Sequence, residues 1–271
     1  MGYNVSTQSK GLGMENNNMR IWKSFPKTDE NYTKVANEGG RKLTSVTPVY
    51  MVKLATEALG PIGEGWGYTI LEERFDNTQP ILLIEGDKAK GVAPVYMTDN
   101  GQIVWEKTHT VVMEMWHGTK ENTFIQYGHT KYSYMTKNGK FYVDHEYGKK
   151  SVTDAMTKCL SLIGVCSDIY MGEFDDQNYR SVAKLENDLK KAETNDQVYH
   201  GKVEELRTHV KEMAVQISMC PTIEAMQKII NVAYGRVYRE CPVLNLNPEE
   251  EKQALDQAYL VNETKIKGAQ Q

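Results

Sequence analysis

Residues 66–135 carry three stretches of strand composition: WGYTILEERF (66–75), IVWEKTHTVVMEMWH (103–117) and TFIQYGHTKYSYM (123–135). All three are dense in β-branched and aromatic side chains. GTKEN joins the last two as a hairpin turn. Directly afterwards the period changes. In GKKSVTDAMTKCLSLIG (148–164), Val152, Ala155, Met156, Cys159, Leu160 and Ile163 recur at helical spacing as one unbroken apolar face, which Gly164 ends. Lys150, Asp154, Thr157, Lys158 and Ser161 form the opposite stripe. Successive strands with no helix between them pair antiparallel. A helix with an apolar face must bury it, so this order predicts an antiparallel sheet packed on helices, an α+β core.

A further helix precedes the strands. In TPVYMVKLATEALG (47–60), Thr47 suits the N-cap, Pro48 the first turn and Gly60 the exit. Val52, Ala55 and Leu59 share one face; Tyr50, Lys53 and Glu57 share another. LLIEGDKAKGVAPVYMTDNGQ (82–102) reads as a long loop or a loop with a further short strand. After SDIYMGEFDDQNY the composition turns helical, over 181–217, then 222–240 beyond the break at Pro221, then from Asn247-Pro248-Glu249. Three segments follow: a polar, mobile 1–20, a core over 21–180, and a mostly helical C-terminal region over 181–271.

Net charge is −4, and neither 1–180 nor 181–271 is basic, so any phosphate-binding surface must be local. The four cysteines show no C-x-x-C spacing, which argues against zinc or redox motifs and for a reducing interior. The first twenty residues lack the apolar core of a secretory signal, and no apolar run is long enough to span a membrane. A cytoplasmic protein with no membrane partner and no cofactor is expected.

The most conspicuous cluster for chemistry is ATEALGPIGEGWGYTI (55–70), with Gly60, Gly63, Gly65 and Gly67 close together. It is not a phosphate loop. No Lys-Ser/Thr follows, and the helix comes first, so its partially negative C-terminus faces the glycines. The stretch reads as a helix-to-strand turn. His109 and His117 share a strand face but lie about 26 Å apart, too far for one metal. Glu72-Glu73 point to opposite sheet faces, and Asp175-Asp176 falls in an acidic connector. These carboxylates leave a metal-dependent DNA nuclease as one alternative. A structural self-assembling protein without a DNA role is another.

The lysines point elsewhere. Lys149 and Lys150 precede the first turn of the 148–164 helix, where a helix N-terminus favours phosphate, and Lys158 lies on its polar stripe. Lys131, Lys137 and Lys140 are interleaved with Tyr132, Tyr134, Phe141 and Tyr142. Basic groups that track a backbone beside aromatic faces are how single strands are held.

VKLATEALGPIGEGWGYTI and GKKSVTDAMTKCLSLIGVCSDIYMG, in that order around the strands, resemble two blocks of the single-strand annealing proteins of the Rad-fifty-two superfamily, with its phage Sak, Erf and Red-beta branches. The resemblance covers roughly residues 20–180. It implies a β-β-β-α annealing core and ATP-independent binding of single-stranded DNA. It also implies annealing of complementary strands in homologous recombination and repair, by a ring or helical filament of identical subunits and without a catalytic site. The implied DNA contacts are Lys158 on the last core helix, with Lys149 and Lys150 nearby, Arg41 or Lys42 ahead of the first, and Lys137 or Lys140 on the strands; Lys53, and Lys131 and Tyr132 of the Lys/Tyr mixture, complete the expected set. Thr157 and Ser161 stand where the family carries basic residues. Residues 181–271 lie outside the match; the family implies contacts there with a host single-strand-binding protein or a phage exonuclease, or a role in assembly.

Overall fold

The computed structural model describes residues 17–38, 41–192 and 196–269. In chain order the elements are β1 (Thr33–Glu38), β2 (Arg41–Val46), α1 (Pro48–Leu59), β3 (Trp66–Pro80), β4 (Leu82–Ile84), β5 (Val95–Tyr96), β6 (Thr98–Asp99), β7 (Gln102–Ile103), β8 (Trp105–His117), β9 (Thr119–Met135), β10 (Phe141–Val143), α2 (Tyr147–Leu162), α3 (Ser167–Tyr170), α4 (Gln177–Lys191), α5 (Asp196–Met219), α6 (Ile223–Val243), α7 (Pro248–Glu251) and α8 (Gln253–Ala269). The chain is α+β, with an antiparallel sheet and a helical C-terminal region.

Composition changes near residue 180, but contacts divide the described chain elsewhere. One unit holds the described residues up to Pro26 together with Ser45–Tyr170; the other holds Lys27–Thr44 with Met171 onward. Ion pairs account for the exchange of 27–44. Lys27 Nζ lies 2.6 Å from Glu186 Oε1, and Lys191 Nζ lies 2.5 Å from the buried Asp29 carboxylate. Short-range composition carries no trace of such long-range pairs.

The first unit is built on the sheet β10-β9-β8-β3. The strands run longer than composition suggests. β3 continues to Pro80 opposite Trp105, and β9 begins at Thr119, with an irregularity between Trp116 and His117 that absorbs the GTKEN turn. The 82–102 segment forms two short ladders, β4 with β5 and β6 with β7. One sheet face is covered by helices. Val111, Met113 and Met115 of β8 pack with Met51, Leu54 and Ala55 of α1 and with Ala155, Cys159 and Leu160 of α2. On α2 the expected face is the buried one, with Ser151 added to it. On α1 the buried set is Tyr50, Met51, Leu54 and Ala55; Tyr50 turns inward, and Val52 and Leu59 sit at the margin of the core.

Two glycines let backbones touch here. A Cβ on Gly128 of β9 would lie 1.9 Å from the Ser151 carbonyl oxygen and 2.7 Å from the Ala155 nitrogen, so α2 rests directly on the β9 backbone. A Cβ on Gly65 would lie 1.7 Å from the Leu59 carbonyl oxygen. The glycine stretch is a tight turn whose amides are consumed internally. Gly60, Gly63 and Gly65 donate to Thr56, Trp66 and Pro61 carbonyls, and Trp66 starts the sheet fully buried.

The second unit is helical. Leu206, Ile217, Met226, Ala233, Val237 and Leu255 lie at the centre of its core. The run over 181–217 is two helices, α4 and α5. Thr222 caps α6 by accepting from the Ala225 N–H, and Asn247 caps α7 by accepting from the Glu249 N–H, as short polar residues at helix starts do. Asn262 of α8 donates to the Ile217 and Cys220 carbonyls, satisfying the open end of α5. Among the described residues, no helix is long and apolar enough to cross a membrane.

Candidate nucleic-acid interface

The β9–β10 turn follows from Thr136-Lys137-Asn138-Gly139-Lys140. Gly139 takes φ +69°, a left-handed conformation suited to glycine. The Thr136 N–H donates to the Lys140 carbonyl at 2.9 Å, and the Lys140 N–H donates to Thr136 Oγ1 at 3.1 Å. This closure leaves the Lys137 and Lys140 side chains outside the ladder and exposed. Among the described residues neither forms an ion pair, nor do Lys107 or Lys131.

The pleat then sorts the aromatics. Phe141 pairs Met135, Tyr142 pairs Tyr134 and Val143 pairs Ser133, which in turn pairs Lys107. Lys131 Nζ lies 5.5 Å from the Tyr134 ring centroid, and Tyr134 meets Tyr142 edge-on at 5.5 Å. Tyr132 goes the other way. It packs against Phe75 and Tyr147, with centroids 4.7 and 4.9 Å away, beside the buried His109. Lys131 and Tyr132 are therefore separated by the sheet, because adjacent strand residues point to opposite faces. Tyr132 is half-buried packing, and the aromatic beside Lys131 is Tyr134, itself half-buried.

Two clefts flank this end of the sheet. One, about 470 Å³, is lined by Trp105, Lys107, Tyr132, Ser133, Phe141 and Val143 among others. The other, about 230 Å³, is lined by Thr78, Glu106, Lys107, Thr108, Lys131 and Tyr134 among others. The buried Glu106 carboxylate ties the strands together here. It accepts from the Met135 backbone N–H at 3.0 Å and from Gln79 Nε2 at 2.9 Å. Lys107 and Trp105 are additions to the sequence-derived set. Their spacing of two, which puts both on one face of a strand of known composition, is the signal that sequence offers for them.

The helix lysines are differently placed. Lys149 pairs Glu146 at 2.8 Å, Lys150 pairs Asp144 at 2.6 Å, and Lys158 pairs Asp154 at 2.8 Å. Lys150 holds the Asp144 carboxyl below its usual range with help from the Glu146 N–H, and Asp144 holds Lys150 above the usual lysine value. Lys149 likewise lowers Glu146. Each cation is thus locally balanced. Lys53 on α1 lies 3.6 Å from Glu57. Arg41 and Lys42 fall on β2, and their side chains lie outside the described residues, as do residues 1–16.

Lys158 and Asp154 have a structural task. Where β10 does not pair with β9, the β9 edge is capped by α2. The His129 N–H donates to Asp154 Oδ2 at 2.9 Å, and Lys158 Nζ donates to the Tyr127 carbonyl at 3.2 Å. An open strand edge is a template for unwanted pairing, and these two side chains occupy it. Asp154→Ala is expected to lower stability by roughly 1 kcal/mol, the usual net worth of such a hydrogen bond, seen as a lower urea midpoint. An unchanged midpoint would mean that the edge does not need the cap.

The remaining carboxylates and histidines are dispersed. Glu72 pairs Arg74 at 3.0 Å, while Glu73 approaches His109 Nε2 at 2.9 Å, off the line of a hydrogen bond. Ser151 Oγ lies 3.0 Å from His109 Nδ1, inside the core and out of reach of a substrate. His129 belongs to the opposite face, its ring near Thr110, whose hydroxyl also donates to Asp76. That hydroxyl, and then Arg74, hold Asp76 below its ordinary value. Asp176 caps α4 by accepting from the Asn178 N–H. Among the described residues, no three His, Cys, Asp or Glu side chains are grouped as metal ligands.

No protein-family model matches this sequence, and no curated protein matches it either.

Proposed function

We propose that this chain binds single-stranded DNA and anneals complementary strands without ATP, as a recombination protein of the bacterial cytoplasm acting as a ring or filament of identical subunits. The observation that carries the proposal is the lysine set at the β9–β10 end of the sheet. Lys107, Lys131, Lys137 and Lys140 have no carboxylate partner among the described residues, and the exposed rings of Trp105 and Phe141 stand at the same end of the sheet. Unpaired cations can meet phosphates without first breaking an ion pair, and exposed rings offer stacking to any base. The order of three long antiparallel strands followed by a helix supports the β-β-β-α resemblance. Lys149 and Lys150 form the rim of the surface, and residues 181–271 serve assembly or contact with a host single-strand-binding protein or exonuclease.

In this reading the protein needs no catalytic group. Pairing yields about 1.4 kcal/mol per stacked step, so the protein has only to offset the repulsion between two phosphate backbones. Repetition around an oligomer multiplies a modest patch. Dye-labelled complementary oligonucleotides, mixed with the protein at low salt without nucleotide or metal, are expected to pair much faster than alone. No acceleration would end the proposal. Cleavage of the labelled strand on adding Mg²⁺ would favour the nuclease alternative, and assemblies that fail to shift single-stranded DNA would favour a structural protein.

A further inference from the structure

We infer that the cleft beside Trp105 and Phe141 holds one unstacked base of a bound single strand, an assignment that rests on the single-strand reading above. The cleft volume, about 470 Å³, falls within the roughly 300–1,000 Å³ typical of small-molecule sites. Its apolar walls are unusual for their availability. Trp105 is 39% exposed and Phe141 43%, and neither ring stacks on another aromatic ring among the described residues. The half-buried Tyr134 and the exposed Tyr142 of this end are occupied with each other.

The polar groups of the cleft suit a base edge. Asn77 and Gln102 line it with side-chain amides that have no hydrogen-bond partner among the described residues, and Asp99 adds an acceptor. An amide presents a donor and an acceptor side by side, the complement of a base edge. Lys107, without an ion-pair partner among the described residues and shared by both clefts, is placed for an adjoining phosphate. An apolar peptide side chain would use only the ring faces and leave the exposed amides and Asp99 to water, whereas a base uses both the ring faces and the polar rim. One base held per subunit would unstack the strand locally and fix its register.

The test is a cycle between protein and DNA. Binding of a labelled oligonucleotide is compared with that of the same strand carrying abasic spacers at alternate positions, for the full chain and for its Trp105→Leu/Phe141→Leu variant, without metal or nucleotide. The wild-type chain is expected to bind the spacer strand about tenfold more weakly, within the range of one base–aromatic stack. The variant is expected to bind the intact strand about tenfold more weakly than wild type does, and to distinguish the two strands hardly at all. A variant that still discriminates like wild type, or a wild-type chain indifferent to the spacers, would overturn the cleft assignment and leave strand binding standing. A wild-type chain that binds neither strand would overturn both.

Discussion

Replacing Lys107, Lys131, Lys137 and Lys140 together with alanine should flatten the salt dependence of single-strand binding by about 2.8 in the log–log slope, roughly 0.7 for each phosphate no longer neutralised. At about 0.1 M salt the same counterion arithmetic lowers affinity by two to three orders of magnitude. The side chains are exposed or at cleft walls and take part in no ion pair among the described residues, so the fold should survive. Lys149→Ala/Lys150→Ala is the matched comparison. Those two lysines are held by Glu146 and Asp144; meeting a phosphate would require opening those pairs, and the freed carboxylates would repel the strand. The paired variant should therefore move the slope by less than about 1. Fluorescence anisotropy across a salt series reads both. An unmoved slope in the quadruple variant, or a larger change in the helix pair, would shift the interface to α2.

Gly128→Ala should produce a large loss of stability in the first unit. The added methyl would meet the Ser151 carbonyl oxygen at 1.9 Å and the Ala155 nitrogen at 2.7 Å. Both are backbone atoms of α2, which cannot rotate away as a side chain can. The helix has to lift from β9, opening the packing of Ala155, Cys159 and Leu160 on the sheet. Overpacking in a close-packed interior typically costs about 1–3 kcal/mol, and a clash with two backbone atoms belongs near the upper end of that range. For a unit of this size that is roughly 6–12 °C in melting temperature. Gly148→Ala, on the same helix with nothing within 4 Å of the added carbon, should be neutral or slightly stabilising. Equal melting temperatures for the two variants would show that α2 does not rest on Gly128.

The helices and strands are legible in the sequence because their cause is local. Val152, Ala155, Met156, Cys159, Leu160 and Ile163 repeat at the helical period, and the tertiary core receives that face almost unchanged. The α1 face differs from its expected one because Met51 and Leu54 compete with Val52 and Leu59, and a 12-residue helix fits either pattern. Composition does not carry β3 past Phe75. Its far third, Asp76 to Pro80, is polar and holds its place by pairing with β8 rather than by its own preference.

The candidate site divides the same way. The Lys/Tyr mixture over 131–142 is visible in sequence, and so is the rule that adjacent strand residues diverge, which parts Lys131 from Tyr132. Which lysines keep their charge available is only partly local: Glu146–Lys149 and Asp154–Lys158 have the spacing of helical pairs, but the other contacts do not. Asp144 finds Lys150 across the start of α2, Asp154 finds Lys158 and the β9 edge together, and Glu186 finds Lys27 across 159 positions. Sequence by itself determined the three long strands and the main helices, the antiparallel order and the absence of a phosphate loop, because periodicity, chain order and dipole sign act over short range; the short strands over 33–46 and 82–103 were not legible in it. Tertiary structure alone decided the docking of Asp154 and Lys158 on the β9 edge, the exchange of residues 27–44 between units and the cleft beside Trp105. Each of these depends on a distance between residues that the chain's own order leaves open.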